Sequence, residues 1–219
     1  MHYMSEFKIS KRYKNVHWIN LLDTNGHVKD WDEAVKIVKD RFESRMLSHL
    51  EHIRKDGWSG FLIMSICCLL VETLMQFYLG KNYTSDHDRY DRNLGLDSGG
   101  VRRNQKRAFV DFLMNSTNFR NSFDSVDKCN VFYDHFRNGL LHQAQTKYKS
   151  KIKICRSSMV EIVNPHNIME GIIIDRNLFL DSLKKEVQDY LQDLKNDNDN
   201  FLGESLRINC EKKMEVICQ

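Results

Sequence analysis

The sequence predicts a single, mostly α-helical domain over residues 1–219, a helical bundle with a small antiparallel β-hairpin insertion around residues 151–174. The 219 residues include one proline and ten glycines, so few positions break a helix. Apolar residues recur at helical spacing along most of the chain. With 41% hydrophobic residues, the chain can build one substantial core but is marginal for two domains.

Two long helices are predicted in the first third of the chain. Asp30 is a plausible N-cap with Glu33 three residues on, so a helix should start there and run to about Ile53. A second helix should begin at Ser59 and continue to about Lys81. Its stretch from Phe61 to Leu79 is apolar on nearly every side, which is typical of either a membrane span or a central core helix.

Three polar residues decide between these alternatives. Glu72, Thr73 and Gln76 lie inside the apolar stretch. An acidic side chain at the centre of a bilayer costs roughly 2.5 to 3.5 kcal/mol. We therefore expect the central buried helix of a bundle and no membrane contact.

The rest of the chain alternates between loop, helix and strand patterns. Residues 82–101 are polar and contain three glycines, which predicts a long loop before a helix from about Arg103 to Met114. A further helix should cover residues 127–146. Alternating or β-branched runs at residues 151–154, 160–163 and 172–174 predict two or three short antiparallel strands. Asp175 should start another helix, the Asn-Asp run at 196–200 should end it, and a last helix should include Leu206 to Ile217.

Charge and cysteine usage limit the functional class. The net charge of +3 excludes a generic polycation, so any nucleic-acid contact needs local clustering of basic residues. None of the six cysteines has C-x-x-C spacing, and the first residues lack an apolar signal segment. We expect reduced thiols in the cytoplasm, no disulfide framework and no zinc site. Neither Asp86-His87-Asp88 nor the pair His49 and His52 has a third ligand at suitable spacing, and no glycine-rich phosphate loop is present, so no metal and no cofactor are predicted.

The helix predicted at residues 127–146 carries the residues of greatest chemical interest. Phe132, Phe136 and Leu140 recur every four residues and should pack inward. Asn138 and His142 are also four residues apart, so they should stack one turn apart on another face, with Arg137 beside them. An arginine can hold a phosphate, and a histidine can act as acid or base near neutral pH. This combination suits chemistry at a phosphodiester.

The segment Arg137-Asn138-Gly139-Leu140-Leu141-His142 resembles the R-N-x-x-x-H signature of the HEPN superfamily, helical proteins of prokaryotic toxins, phage-defence systems and some eukaryotic RNA-processing enzymes. The resemblance extends to residues 108–113 and to the remainder of the motif helix, and covers roughly residues 60–195. It implies a HEPN-like bundle, a homodimer whose motif helices face one another, and metal-independent RNA cleavage. In that family His142 would handle a proton at the 2'-hydroxyl or the leaving oxygen. Arg137 would neutralise the phosphate, and Asn138 would orient the phosphate or the histidine.

Three further residues are candidates for supporting roles. Glu72 is the only charge in the apolar helix, and its carboxylate should pair either with Arg137 or with another donor. Asp134 lies four residues before Asn138 and can reach the same cleft. His135 is either a second acid-base group or, as we expect, a partly exposed histidine without a catalytic role.

Two basic clusters are candidate RNA contacts. Arg102 and Arg103, followed by Lys106 and Arg107, lie at a predicted helix start. Lys149, Lys151 and Lys153, with Lys147 and Tyr148, follow the motif helix. The alternative for either cluster is an ordinary solvated face.

The sequence and the resemblance together predict a metal-independent endoribonuclease of HEPN type, dimeric and acting in phage defence or stress response, with an antitoxin or defence-system protein as a further partner. One alternative is a catalytically silent HEPN-fold module that binds RNA, a nucleotide or a partner protein. Another is a helical interaction domain in which Arg137 and His142 are structural.

Overall fold

The computed structural model of the chain describes residues 5–81, 100–201 and 203–219 and, for residues 100–104, the backbone alone. The predicted mostly helical fold with a small sheet is confirmed. The α-helices are α1 (Asn15–Ile19), α2 (Trp31–Phe42), α3 (Ser48–Ile53), α4 (Gly60–Leu79), α5 (Gly100–Asn115), α6 (Val126–Phe132), α7 (Asn138–Gln143), α8 (Arg176–Asn196) and α9 (Leu206–Cys218). The strands are β1 (Lys151–Lys153), β2 (Val160–Ile162) and β3 (Ile172–Asp175). The loop predicted at residues 82–101 lies almost wholly outside the described residues.

Side-chain caps start the helices where the sequence predicts them. The Asp30 carboxylate accepts a hydrogen bond from the Glu33 backbone N–H at 3.1 Å, at the start of α2. Asp175 accepts from the backbone N–H groups of Asn177 and Leu178 and so begins α8. These bonds satisfy donors that the first turn of a helix otherwise leaves unpaired.

Helix α4 is the centre of the bundle. It packs against α5, α8 and α9, and one core cluster joins buried side chains from Ile9 to Cys218. Among the described residues it is the single helix long and apolar enough to cross a membrane, and 61% of that stretch is buried. The prediction of a central core helix is therefore confirmed for this segment.

The motif helix is not one continuous α-helix. A π-helical turn at Tyr133–Arg137 separates α6 from α7, and the Asn138 N–H bonds to the carbonyl of Tyr133, five residues back. The side chains of Phe132, Phe136 and Leu140 are buried as predicted. The helix ends at Gln143, three residues before the predicted end, because Ala144 adopts a left-handed conformation with φ of 52°.

After Ala144 the chain turns back over its own helix. Lys147 N–H donates to the carbonyl of His135 at 3.1 Å, which ties the returning segment to the π-helical turn. A Cβ atom on Gly139 would collide with the backbone carbonyl oxygen of Gln145. The glycine inside the motif is therefore required by this close backbone approach.

The small sheet differs from the predicted antiparallel hairpin. Its strand order is β1-β3-β2, with β1 parallel to β3 and β2 antiparallel to it. The prediction that all strands are antiparallel is wrong for β1. Strand β3 is central because both Ile172 and Ile174 are fully buried, whereas β1 exposes Lys151 and Lys153 as an edge strand does.

Candidate functional site

The candidate site lies where the π-helical turn and α7 pack against α4. The guanidinium of Arg137 donates from Nε to Oε1 of Glu72 at 2.5 Å, although the two residues are 65 positions apart. Both side chains are largely buried, with 13% and 18% of their surfaces exposed. The sequence left open whether Glu72 pairs with Arg137 or with another donor, and in the structure its partner is Arg137.

Two neighbours on the motif helix also hold the Arg137 guanidinium. Its Nη1 donates to Oδ1 of Asn138 at 3.1 Å, and its Cζ atom lies over the Tyr133 ring, 5.4 Å from the ring centre. Burial alone would lower the pKa of Arg137, but the bond to Glu72 and its charge outweigh this and raise the pKa. The guanidinium is therefore a fixed, permanently charged group.

His142 is the exposed member of the motif. It lies one turn after Asn138 on α7, and its side chain makes no hydrogen bond to the described residues. Its ring is accessible to a ligand, as an acid or base must be.

His135 and Asp134 form contacts outside the group of motif side chains. His135 is 1% exposed, its Nδ1 lies 2.9 Å from Ser150 Oγ, and its ring packs on Tyr148. The prediction of a partly exposed His135 is wrong, because the returning chain covers it; burial lowers its pKa and favours the neutral form. Asp134 forms an ion pair with Lys106 of α5 at 2.6 Å instead of reaching Asn138.

The basic residues predicted to contact RNA differ in their surroundings in the structure. Lys149 pairs with Glu170 at 2.6 Å, whereas Lys151 and Lys153 are exposed on the same side of β1. The side chains of Arg102 and Arg103 lie outside the described residues. The second cluster therefore reduces to the two β1 lysines.

Sequence reasoning missed two residues that shape the site. Tyr133 lies under Arg137 and Ser150 contacts His135. The position of Tyr133, four residues before Arg137, was an available signal because such residues are neighbours on a helix. Ser150 had no comparable signal, because a turn of the chain brings it to His135.

No family model, curated protein or solved structure matches this chain. The assignment of chemistry therefore depends on the geometry of the site. Within the described ranges, no group of three His, Cys, Asp or Glu side chains could hold a metal ion. What these residues offer is a fixed cation, an amide and an accessible imidazole within two helical turns.

We expect Glu72→Ala to lower the free energy of unfolding by roughly 1 to 3 kcal/mol, because it leaves a largely buried guanidinium without its charged partner. Glu72→Gln keeps a hydrogen-bond acceptor and should cost less. Urea denaturation of both variants measures the difference, with Glu215→Ala as an exposed acidic control. A loss no larger for Glu72→Ala than for Glu215→Ala would contradict the pairing.

Proposed function

We propose that this chain is a metal-independent endoribonuclease of the HEPN type with a HEPN-like helical fold. The observation that carries the proposal is the exposed His142, one turn from Asn138, beside an Arg137 held by Glu72. The resemblance of residues 137–142 to the family signature supports the same reaction. The setting in phage defence or stress response and an antitoxin partner depend on that resemblance, whereas the cytoplasmic location is proposed from the cysteine usage.

In the proposed reaction a base removes the proton of the RNA 2'-hydroxyl, and the 2'-oxygen attacks the adjacent phosphorus. The bond from phosphorus to the 5'-oxygen breaks, and an acid protonates that oxygen. The products are a 2',3'-cyclic phosphate and a 5'-hydroxyl. Arg137 would stabilise the charge that develops on the phosphate oxygens, while His142 would transfer one of the two protons.

A second copy of the chain would supply the other proton-transfer group. One motif presents a single accessible histidine, since His135 is buried. On α4, the exposed side chains of Leu62 and Leu69, with Ile66 between them, form an apolar stripe, and Leu69 lies three residues before Glu72, on the neighbouring part of the helix surface. Packing of this stripe against its equivalent in a second copy would bring two motif helices together around a two-fold axis.

Leu69→Lys is expected to weaken dimerisation at least about tenfold, because an unpaired charge at an apolar interface costs more than about 1.4 kcal/mol. Sedimentation velocity over a range of protein concentrations measures the change, and RNA cleavage should fall with the dimer fraction. Met169→Lys, at another exposed apolar residue, is the matched control. A wild-type chain that is monomeric yet fully active would overturn the dimer.

The test of the function is incubation of the purified chain with total RNA in the presence of EDTA. We expect cleavage that leaves 2',3'-cyclic phosphate ends and spares DNA, which lacks the nucleophilic 2'-hydroxyl. A requirement for Mg²⁺ would contradict the mechanism. Inactivity of a folded dimer on every RNA would favour the silent binding module instead.

A further inference from the structure

A cleft at the start of α4 contains the buried guanidinium of Arg176, whose hydrogen-bond partners in the described part of the chain are all neutral groups. Arg176, the first residue of α8, is 2% exposed. Its Nη1 donates to Ser59 Oγ at 3.1 Å, and its Nη2 donates to the carbonyl of Asp56 at 2.6 Å and that of Arg54 at 3.3 Å. Its Nε has no hydrogen-bond partner among the residues that the structure describes. A buried cation normally has an anionic partner.

Two acidic residues lie beside the Arg176 guanidinium, Asp175 as its chain neighbour and Asp56 through its carbonyl, but both carboxylates bind other groups. The Asp175 carboxylate accepts from the backbone N–H groups of Arg156, Asn177 and Leu178. The Asp56 carboxylate accepts from the N–H of Trp58. Across the described part of the chain, Arg176 therefore forms no ion pair.

The first turn of α4 lines the same cleft. This 20-residue helix has no acidic residue in its first turn and no side-chain cap, because Ser59 Oγ donates to the carbonyls of Ile53 and Asp56 instead. The guanidinium lies beside this turn, since a Cβ added at Gly60 would lie 3.4 Å from Arg176 Nη1 and 3.3 Å from Ile152 Cγ2. The uncapped N–H groups and the guanidinium together favour an anion.

Apolar and basic side chains form the outer walls of this cleft, which has a volume of about 350 Å³. The indole of Trp58 is 96% exposed, and Phe61 and Ile154 are also exposed. Lys153, one of the two exposed lysines of β1, lies at the edge of the cleft. Cavities of this size hold small ligands, and exposed aromatic rings beside basic groups are the features on which nucleic-acid bases stack.

We propose that this cleft binds one nucleotide unit, with its phosphate at the start of α4 near Arg176 and Lys153 and its base stacked on Trp58. The shared chemistry fits either a free mononucleotide or one nucleotide of an RNA strand. The second possibility, one nucleotide of an RNA strand, rests on the proposed ribonuclease function. Phe61 and Glu72 are eleven residues apart on nearly the same face of α4, so the cleft lies roughly 16 Å along the helix from the motif.

The proposal is tested by titrating the full chain with AMP and, separately, with a fluorescently labelled single-stranded DNA octamer. DNA offers bases and phosphates but lacks the 2'-hydroxyl, so cleavage cannot disturb the measurement. Trp58→Ala should weaken binding roughly 5- to 150-fold, as loss of a stacking platform does. Lys153→Gln should weaken octamer binding and reduce its salt dependence by about one phosphate contact.

Trp58→Phe and Lys149→Gln are the matched controls, and both should bind nearly as tightly as the wild-type chain. Trp58→Phe keeps an aromatic ring, and Lys149→Gln removes a lysine that is already paired with Glu170. AMP binding that depends on Trp58 indicates a mononucleotide site, and dependence with the octamer alone indicates a strand contact. Wild-type affinity of Trp58→Ala for both ligands would overturn the proposal, even if RNA cleavage is observed. Binding that depends on Trp58 in a chain without ribonuclease activity would support the cleft and reject the proposed function.

Discussion

His142→Ala is expected to lower the rate of RNA cleavage roughly 10²- to 10⁴-fold, because in the proposed mechanism it removes a group that transfers a proton. The side chain is exposed and makes no hydrogen bond to the described residues, so the substitution should leave stability almost unchanged. Cleavage of a defined RNA in EDTA gives the rate, and thermal unfolding reports the fold.

The control for this variant is His166→Ala, which removes an exposed histidine from the loop between β2 and β3. It should cleave RNA at the wild-type rate. Arg137→Ala should lose activity to a similar degree through loss of charge stabilisation, but it should also lose stability because Glu72 is left unpaired. Unimpaired cleavage by His142→Ala would refute the assignment of the site.

Phe136→Ala should lower the free energy of unfolding by roughly 3 to 5 kcal/mol, the range for a truncated core phenylalanine. Phe136 is fully buried in the π-helical turn, and its ring stacks on Phe132 with the ring centres 5.2 Å apart. Phe132 in turn stacks on Phe179 of α8, so the loss removes support for the motif helix from the core side. Urea denaturation measures the effect.

Phe7→Ala provides the comparison, since this phenylalanine is 37% exposed and its removal should change stability by about 0.5 kcal/mol or less. An equally small effect of Phe136→Ala would mean that the motif helix does not pack through this stripe.

Local features of the chain were predicted because interactions between near neighbours encode them. The helix starts at Asp30 and Asp175 follow from side-chain oxygens that reach backbone N–H groups two or three residues on. The inward stripe of Phe132, Phe136 and Leu140 follows from helical spacing and remains buried despite the π-helical turn. Such patterns are readable in a single sequence because every participant lies within one or two turns.

The sheet shows where this reasoning stops. Alternation and β-branched residues identify strands near residues 151–154, 160–163 and 172–174, but they do not indicate which strand is central. The choice follows from packing, since Ile172 and Ile174 of β3 are completely buried, whereas Ile152 of β1 and Ile162 of β2 are only half-buried. Strand order is a property of the folded core, and a hairpin was the simplest arrangement that the sequence offered.

The sequence by itself determined the helical character of the chain and the proximity of Arg137, Asn138 and His142, because the spacing of apolar residues predicts a helix there and residues up to five positions apart on a helix lie within two turns. Only the tertiary structure decided that Glu72 holds Arg137, that Ser150 and Tyr148 bury His135, and that Trp58 and Arg176 share a cleft. The partners in these contacts lie between 13 and 118 positions apart, as the residue numbers show. Their contacts depend on how whole elements pack, and helical periodicity carries no information about that.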